Sequence, residues 1–445
     1  MMKTISDLSP RVEHYANYLR DFDDTIHSGR VVQIVGLTIE SIGPITNIGD
    51  LCLIQPRSGP PVPAEVVGFR DQRVLLMPLA DLTGVGPGSL VTATGSPLII
   101  PVGPKLLGRV LDGLGQPMDN RGIVPAIKHQ SILGNVPTPL ERQRIKEPLP
   151  VGVRAIDGLL SCGKGQRLGV FAGSGVGKST LLGMMARNTE ADVNVIALIG
   201  ERGREVREFL ERDLGPEGLK RSVVVVATSD QPALVRIKGA MVATTIAEFF
   251  RDQGLDVLFV MDSVTRLAMA QREVGLAIGE PPATRGYTPS VFAMLPRLLE
   301  RTGPGKVGTI TAFYTVLVEG DDMNEPITDT VRGILDGHIV LDRALAEKNH
   351  YPAIDVLASV SRLMVEVTDE EHRTLAGELR AALATYRDAE DLINIGAYSS
   401  GSNPQIDMAI SLYPEITKFL QQGINETSSW SDTVQYLEQI FVAES

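Results

Sequence analysis

Cysteine is scarce in this chain of 445 residues: two, Cys52 and Cys162, support neither a disulfide framework nor a thiolate metal site. They read as free thiols of a reducing compartment. Long apolar runs are missing too. Stretches such as Val223 to Ala227 and Val257 to Met261 fall far short of a bilayer span. The first residues, Met-Met-Lys-Thr-Ile-Ser-Asp, lack the apolar heart of a signal peptide, so a cytoplasmic protein is expected. There is no basic excess either. The net charge is −12 and the pI near 5.1, which removes the global field that would gather nucleic acid. Aromatics make up only 5% of the chain, yet the hydrophobic fraction of 43% is ample for ordinary cores.

Four textures follow one another. Over residues 1–27, Leu8, Val12, Tyr15, Leu19 and Phe22 recur at three- and four-residue steps, the pattern of one amphipathic helix. It serves equally as a helix packed on its own domain or one offered to a partner. Residues 28–96 carry short β runs with glycine punctuation, at Arg30 to Val35, Leu51 to Ile54, Ala64 to Val67, Arg73 to Met77 and Leu90 to Ala93. Five or six strands at this spacing predict a small barrel. A Gly- and Pro-rich linker is expected at about Pro97 to Pro104.

Residues 97–367 alternate apolar strands, at 169–172, 193–200, 223–228, 257–262 and 308–314, with helices at 178–188, 205–214, 232–253 and 290–301. That alternation predicts an α/β fold with a mostly parallel sheet covered on both faces. Residues 368–445 read as helical: Thr368 and Glu371 form a capping box, after which Leu375, Leu379, Leu383 and Tyr386 share a face.

The chemistry gathers at the carboxyl ends of the parallel strands, where such sheets bind ligands. Ala172-Gly173-Ser174-Gly175-Val176-Gly177-Lys178-Ser179-Thr180 lies between a strand and a helix. Its glycines let successive N–H groups face one anion, and the helix N-terminus adds positive potential. Lys178 can reach β- and γ-phosphates and Ser179 can ligate Mg²⁺, so a nucleoside triphosphate is the expected ligand. Ala172 stands where the strict pattern has glycine, and is small enough to fit. Asp262 closes an apolar strand and supplies the carboxylate opposite Ser179 that a bound magnesium ion or its waters need. Glu201 closes another and can orient or polarise an attacking water, with Arg202 near the γ-phosphate. Arg362 follows the run Pro352 to Ser361. Its residue type fits a solvated or paired side chain as well as a guanidinium lent to a neighbouring subunit. Tyr351 can stack on a base or simply pack.

Pro352-Ala353-Ile354-Asp355 with Ser359 and Ser361 resembles the signature of the rotary ATP synthase α and β subunits, and Gly108 to Pro117 resembles that superfamily's linker. The resemblance runs over essentially the whole chain. Within it, the phosphate loop, Met261-Asp-Ser-Val-Thr-Arg266 with Ala270-Gln-Arg-Glu273, Gly279 to Phe292, and Tyr314 to Pro326 resemble the ATPase of type III protein export. Ala268 to Glu273 and Glu280 to Tyr287 lean to its flagellar form.

The resemblance implies a RecA-like core that assembles as a homohexamer and hydrolyses ATP with Mg²⁺. It makes Lys178 and Ser179 the phosphate and Mg²⁺ ligands, and Glu201 the catalytic carboxylate. Asp262 becomes the strand-end acid, Arg202 and Arg266 the cations near the γ-phosphate, Arg362 the finger in a neighbour's site, and Tyr351 the adenine stack. Implied partners are a stator protein on the N-terminal helix, a coiled-coil stalk in the ring pore, export chaperones and substrates, and the membrane export gate. The ring would then work at the inner face of the cytoplasmic membrane. A non-flagellar type III secretion ATPase and a subunit of an ion-coupled rotary ATPase are the alternatives. An RNA translocase is disfavoured, because residues 29–95 offer one aromatic, Phe69, and few basic side chains. Deleting residues 1–27 is expected to leave folding and basal hydrolysis intact while impairing assembly with partners. Loss of soluble protein in an expression and melting assay would instead assign the helix to its own barrel.

Overall fold

A computed structural model describes residues 27–318, 320 and 322–442, so the amphipathic segment read over residues 1–27 lies outside it except for His27. The chain divides into two compact units between Pro97 and Leu98. In the first, β1 (Ser28–Val35), β2 (Thr38–Ile42), β3 (Leu51–Ile54), β4 (Val62–Arg70), β5 (Arg73–Pro78) and β6 (Leu90–Ala93) close a barrel in the order β1-β2-β5-β4-β3-β6. Alternate residues point inward, and Val31, Ile39, Cys52, Ile54, Ala64, Val66, Leu76 and Val91 fill the interior. β2 was not separable in the sequence. The run read at Arg30 to Val35 is β1 alone, and Gly36, at φ +58°, folds the chain straight back into β2.

The second unit holds β7 (Ile99–Val102), β8 (Val110–Asp112), β9 (Lys128–Ser131), β10 (Arg167–Ala172), β11 (Val193–Ile199), β12 (Ser222–Ala227), β13 (Asp256–Asp262), β14 (Gly303–Pro304), β15 (Thr309–Leu317), β16 (Gly337–Leu341) and β17 (Ile354–Ser361). The main sheet runs β17-β16-β10-β15-β13-β11-β12-β8. Every ladder from β16 to β8 is parallel, whereas β17 pairs with β16 antiparallel. β11 and β12 are buried at every position, as expected of strands covered on both faces.

Two expectations for residues 97–214 need correction. The proline-rich linker at Pro97 to Pro104 contains β7, which pairs with β9 as a two-stranded ribbon. Pro101 is accommodated there because an edge position needs no N–H donor on its open side. The helix expected at 205–214 is α-helical only over Gly203–Glu208 and continues as a π-helix over Phe209–Leu214.

Helices Glu370–Asn394, Pro404–Leu420 and Trp430–Val442 complete the unit. The first is capped by Asp369, whose carboxylate accepts the His372 N–H at 2.8 Å, and not by Thr368, whose hydroxyl donates back to the Met364 carbonyl at 2.7 Å. Leu379, Leu412, Ile416 and Phe419 join the same core as Val151, Ile156 and Leu182. Tyr386 stacks on Tyr413 with ring centroids 3.6 Å apart. Phe419 is fully buried, lies edge-on to Tyr436, and leaves no room for a side chain at Gly158. Phe419→Ala should therefore cost about 3–5 kcal/mol and lower the denaturant midpoint of the nucleotide-domain unit as well as the helices. A melt in which only the C-terminal helices are lost would contradict a shared core.

Candidate active site

β10 delivers the phosphate loop. Ala172, its last residue, is buried between Leu317 of β15 and Leu341 of β16, so the methyl that replaces glycine is absorbed by the sheet. Val176 is buried and anchors the loop, while Ser174 and Gly175 remain exposed. Gly175 and Gly177 adopt φ of +81° and +89°, a region that a Cβ makes costly. Gly177 caps the helix Lys178–Asn188, whose first-turn N–H groups thus face the loop. Gly173, Ser179 and Thr180 line the same cavity of about 600 Å³.

Three strand ends meet Lys178 there. Its ammonium contacts the Asp262 carboxylate directly and lies 3.6 Å from Glu201. Asp262 is buried and also accepts the Thr315 hydroxyl at 2.7 Å. Burial works against the Lys178 charge, but the Asp262 and Glu201 carboxylates outweigh it and hold the ammonium above its ordinary pKa. Burial first, and then the charge of Asp262, push the Glu201 carboxyl up to about 7, against the pull of Lys178. Glu201 shares a hydrogen bond with Glu205, which is held below the usual carboxylate range. Burial opposes that lowering, and the Glu201 contact and the nearby Arg202 overcome it.

The cations are dispersed. Arg202 is exposed at the cavity's rim and pairs with Glu205 at 3.3 Å. Arg266 reaches the cavity beneath Gly200, and its buried Nε finds no hydrogen-bond partner among the described residues. Tyr351 stands beside the loop, where a Cβ on Gly177 would come 3.4 Å from its ring, and is 41% exposed. It does not line the cavity. Arg362 is far from all of these. Because β17 runs antiparallel, Ser361 lies beside Gly337 at the amino end of β16, while Ile354 lies beside Leu341. At about 3.3 Å per residue, the end of β10 nearest Arg362 is roughly 17 Å from the phosphate loop. Arg362 is exposed there, with no hydrogen bond or ion pair from its guanidinium among the described residues.

Glu205, Thr315 and Arg343 belong to the site and were not singled out in the sequence. Glu205 had a signal, since it follows Glu201 by four residues in the first turn of the next helix. Thr315 had none, being 53 residues from the carboxylate it holds. For a magnesium ion, the Ser179 hydroxyl and Asp262 carboxylate are hard oxygen donors of the right kind, to be completed by phosphate oxygens and water. Among the described residues no cluster of three acidic, histidine or cysteine side chains could chelate a metal unaided.

Known proteins match the chain over all three of its regions. Residues 152–361 match the nucleotide-binding domain of the ATP synthase alpha/beta family, residues 31–95 its beta-barrel domain, and residues 368–439 the T3SS EscN ATPase C-terminal domain. The chain is 59% identical to the flagellum-specific ATP synthase of Bacillus subtilis, over 93% of this chain and 94% of that one. It is 52% identical to the type 3 secretion system ATPase of Xanthomonas euvesicatoria, over 93% of each. The solved structure of the assembled ATPase EscN from the enteropathogenic E. coli type III secretion system superposes with a TM-score of 0.87 at 48% identity, covering 93% of this chain and 99% of that one. EscN in complex with its central stalk EscO gives 0.86 at the same identity and coverage.

A raised carboxyl pKa has a measurable sign. The folded Glu201 carboxyl holds its proton up to about 7, against 4.5 for the ordinary group, so between those values the native state binds the more protons and loses stability as pH rises. In nucleotide- and metal-free protein, the melting temperature of wild type relative to Glu201→Gln should fall from about pH 4.5 to about pH 7 and level off above. A difference that is flat with pH would mean that Glu201 is ionised throughout.

Proposed function

The chain belongs to the ATP synthase alpha/beta family, among the flagellum-specific ATP synthases and type III secretion ATPases, as an ATP-hydrolysing enzyme of ATP-driven type III export, and from that premise we propose how its residues divide the work. What supports the division most directly is the meeting of Lys178, Glu201 and Asp262, from three separate strand ends, around one phosphate loop.

The loop N–H groups and the helix N-terminus bind the β- and γ-phosphates, and Lys178 exchanges carboxylate contacts for phosphate oxygens. Ser179 and Asp262 would hold magnesium, which would supply neutralisation of phosphate charge. Glu201, with its carboxyl near neutrality, aligns the attacking water and accepts its proton. Arg202 and the unpaired Nε of Arg266 face the charge that grows on the departing phosphoryl group. Tyr351, standing over the loop, stacks on the adenine. Arg362 completes the site of a neighbouring copy, because on its own subunit it lies at the wrong end of the sheet.

A chain that carries both the catalytic carboxylate and the finger needs no second kind of subunit, and the working form is a homohexamer. The assembled state of EscN and its complex with a central stalk support self-assembly around a central stalk for this chain, and a coiled coil in the ring pore is the form we assign to it. The remaining assignments are a stator protein on the N-terminal segment, export chaperones and flagellar substrates as cargo, and a membrane export gate. Docking is peripheral, at the inner face of the cytoplasmic membrane, and no helix among the described residues is long and apolar enough to cross one. Nucleic acid is not a partner of so acidic a chain.

Arg362→Ala should bind ATP almost normally and lose roughly a thousandfold in turnover, the range of arginine fingers. Lys178→Ala should lose both binding and turnover. Mixed rings of these two dead proteins can form sites with an intact loop and an intact neighbouring arginine, and activity should reappear. No recovery in rings shown to contain both chains would return Arg362 to its own subunit.

A further inference from the structure

Arg362 leaves the sheet at a place where ordinary strand pairing has run out. β17 is an edge strand with a partner on one side only, and Ser361 opposite Gly337 is the last pair of its ladder. An edge end of this kind frays unless something else holds it.

Here that something is the side chain of Gln166. The Arg362 N–H donates to the Asp336 carbonyl at 3.1 Å. The Gln166 amide donates to the same carbonyl at 3.3 Å and to the Ser361 hydroxyl at 3.0 Å. Ser361 in turn donates to the Ser161 carbonyl at 2.8 Å. The Gln166 amide oxygen is also used, accepting the Gly163 N–H at 2.9 Å. Asp336 itself is clamped by Arg167, through the backbone N–H at 3.1 Å and the guanidinium at 3.2 and 3.3 Å. Gln166 is fully buried, so its donors have no water to fall back on and the geometry is stiff. The outcome is a fixed backbone on both sides of the Ser361–Arg362 bond beneath a guanidinium left in solvent.

We propose that Gln166, acting through Ser361 and the Asp336 carbonyl, is a positioning residue for Arg362. The proposal rests on Arg362 serving a neighbour's site, and goes beyond it by naming what sets the arginine's reach. It also places the two duties of a subunit on one strand. Gln166 immediately precedes β10, and the phosphate loop follows it, so the loop a subunit uses and the arginine it lends are tied to opposite ends of the same six residues.

A displaced catalytic group typically costs up to about a hundredfold in rate for a shift near 1 Å. Ser361→Ala, which removes the hydroxyl, and Gln166→Glu, which keeps volume but loses the amide donors, should each lower kcat roughly tenfold to a hundredfold with KM and ATP binding little changed. Ser361→Thr, which keeps the hydroxyl, should restore most of the rate. The decisive readout is complementation in mixed rings. Either impaired variant should gain activity when mixed with Lys178→Ala, whose arginine is intact, and none with Arg362→Ala. The opposite grouping would show that the defect lies in the subunit's own phosphate loop and would overturn the proposal. So would unchanged kcat, or loss of folded protein in both variants, which would make the network a folding element only. The Lys178→Ala with Arg362→Ala mixture serves as the control. Failure there sinks the cross-subunit role of Arg362, whereas recovery there with the wrong grouping sinks only the role of Gln166.

Discussion

A lysine ammonium taken largely out of water needs anionic company, and the carboxyl edge of the central sheet is arranged to provide it for Lys178. Asp262 comes from the end of β13 and Glu201 from just past β11, while Thr315 of β15 steadies Asp262 from the other side. The register of these strands is therefore part of the chemistry. Leu198 pairs with Asp262, and Met261 with Tyr314. A slip of one residue would turn Asp262 to the opposite face of the sheet and leave a buried ammonium uncompensated, a loss of several kcal/mol.

The same cluster explains why the Glu201 carboxyl is basic. Glu201 and Asp262 are two anions around one cation, and Asp262 holds the closer contact together with the Thr315 hydroxyl. Glu201, at 3.6 Å and with burial against it, is the group that keeps its proton toward neutrality. When phosphate oxygens draw the ammonium away, Glu201 loses the contact that opposes its proton affinity. On the role proposed for Glu201, its strength as a base therefore rises in the loaded site, where a water must be deprotonated. Glu205 accepts the hydrogen bond from Glu201 and keeps that carboxyl oriented from the next helix.

Much of this site was legible in the sequence, because its pieces are local. The loop Ala172 to Thr180 is one contiguous motif, and Glu201 and Asp262 each close an apolar strand that can be read as such. The barrel and the parallel sheet were legible from their periodicities, and the C-terminal helices from theirs. What escaped depends on contacts across long separations or on choices between near-equal local options. Thr315 and Gln166 act on residues 53 and 195 positions away. The capping box was expected at Thr368, and the carboxylate of the next residue, Asp369, took the helix N-terminus instead. The run Pro352 to Ser361 was visible as a run, but its direction was not, and direction is what decides where Arg362 emerges.

That direction has a consequence for assembly. A single strand reversed at the edge of a parallel sheet carries Arg362 away from the edge where Lys178, Glu201 and Asp262 gather. On the proposed role of Arg362, the two halves of a working site then occupy separate regions of each copy. An isologous dimer uses one self-complementary patch, and a patch that held both halves would have to span the length of β10. A head-to-tail contact uses two different patches, and repeated copies close into a ring when the rotation allows it. On the proposed role of Arg362, a ring follows from the placement of one arginine on one antiparallel strand, and each interface in it joins the two halves of a catalytic site.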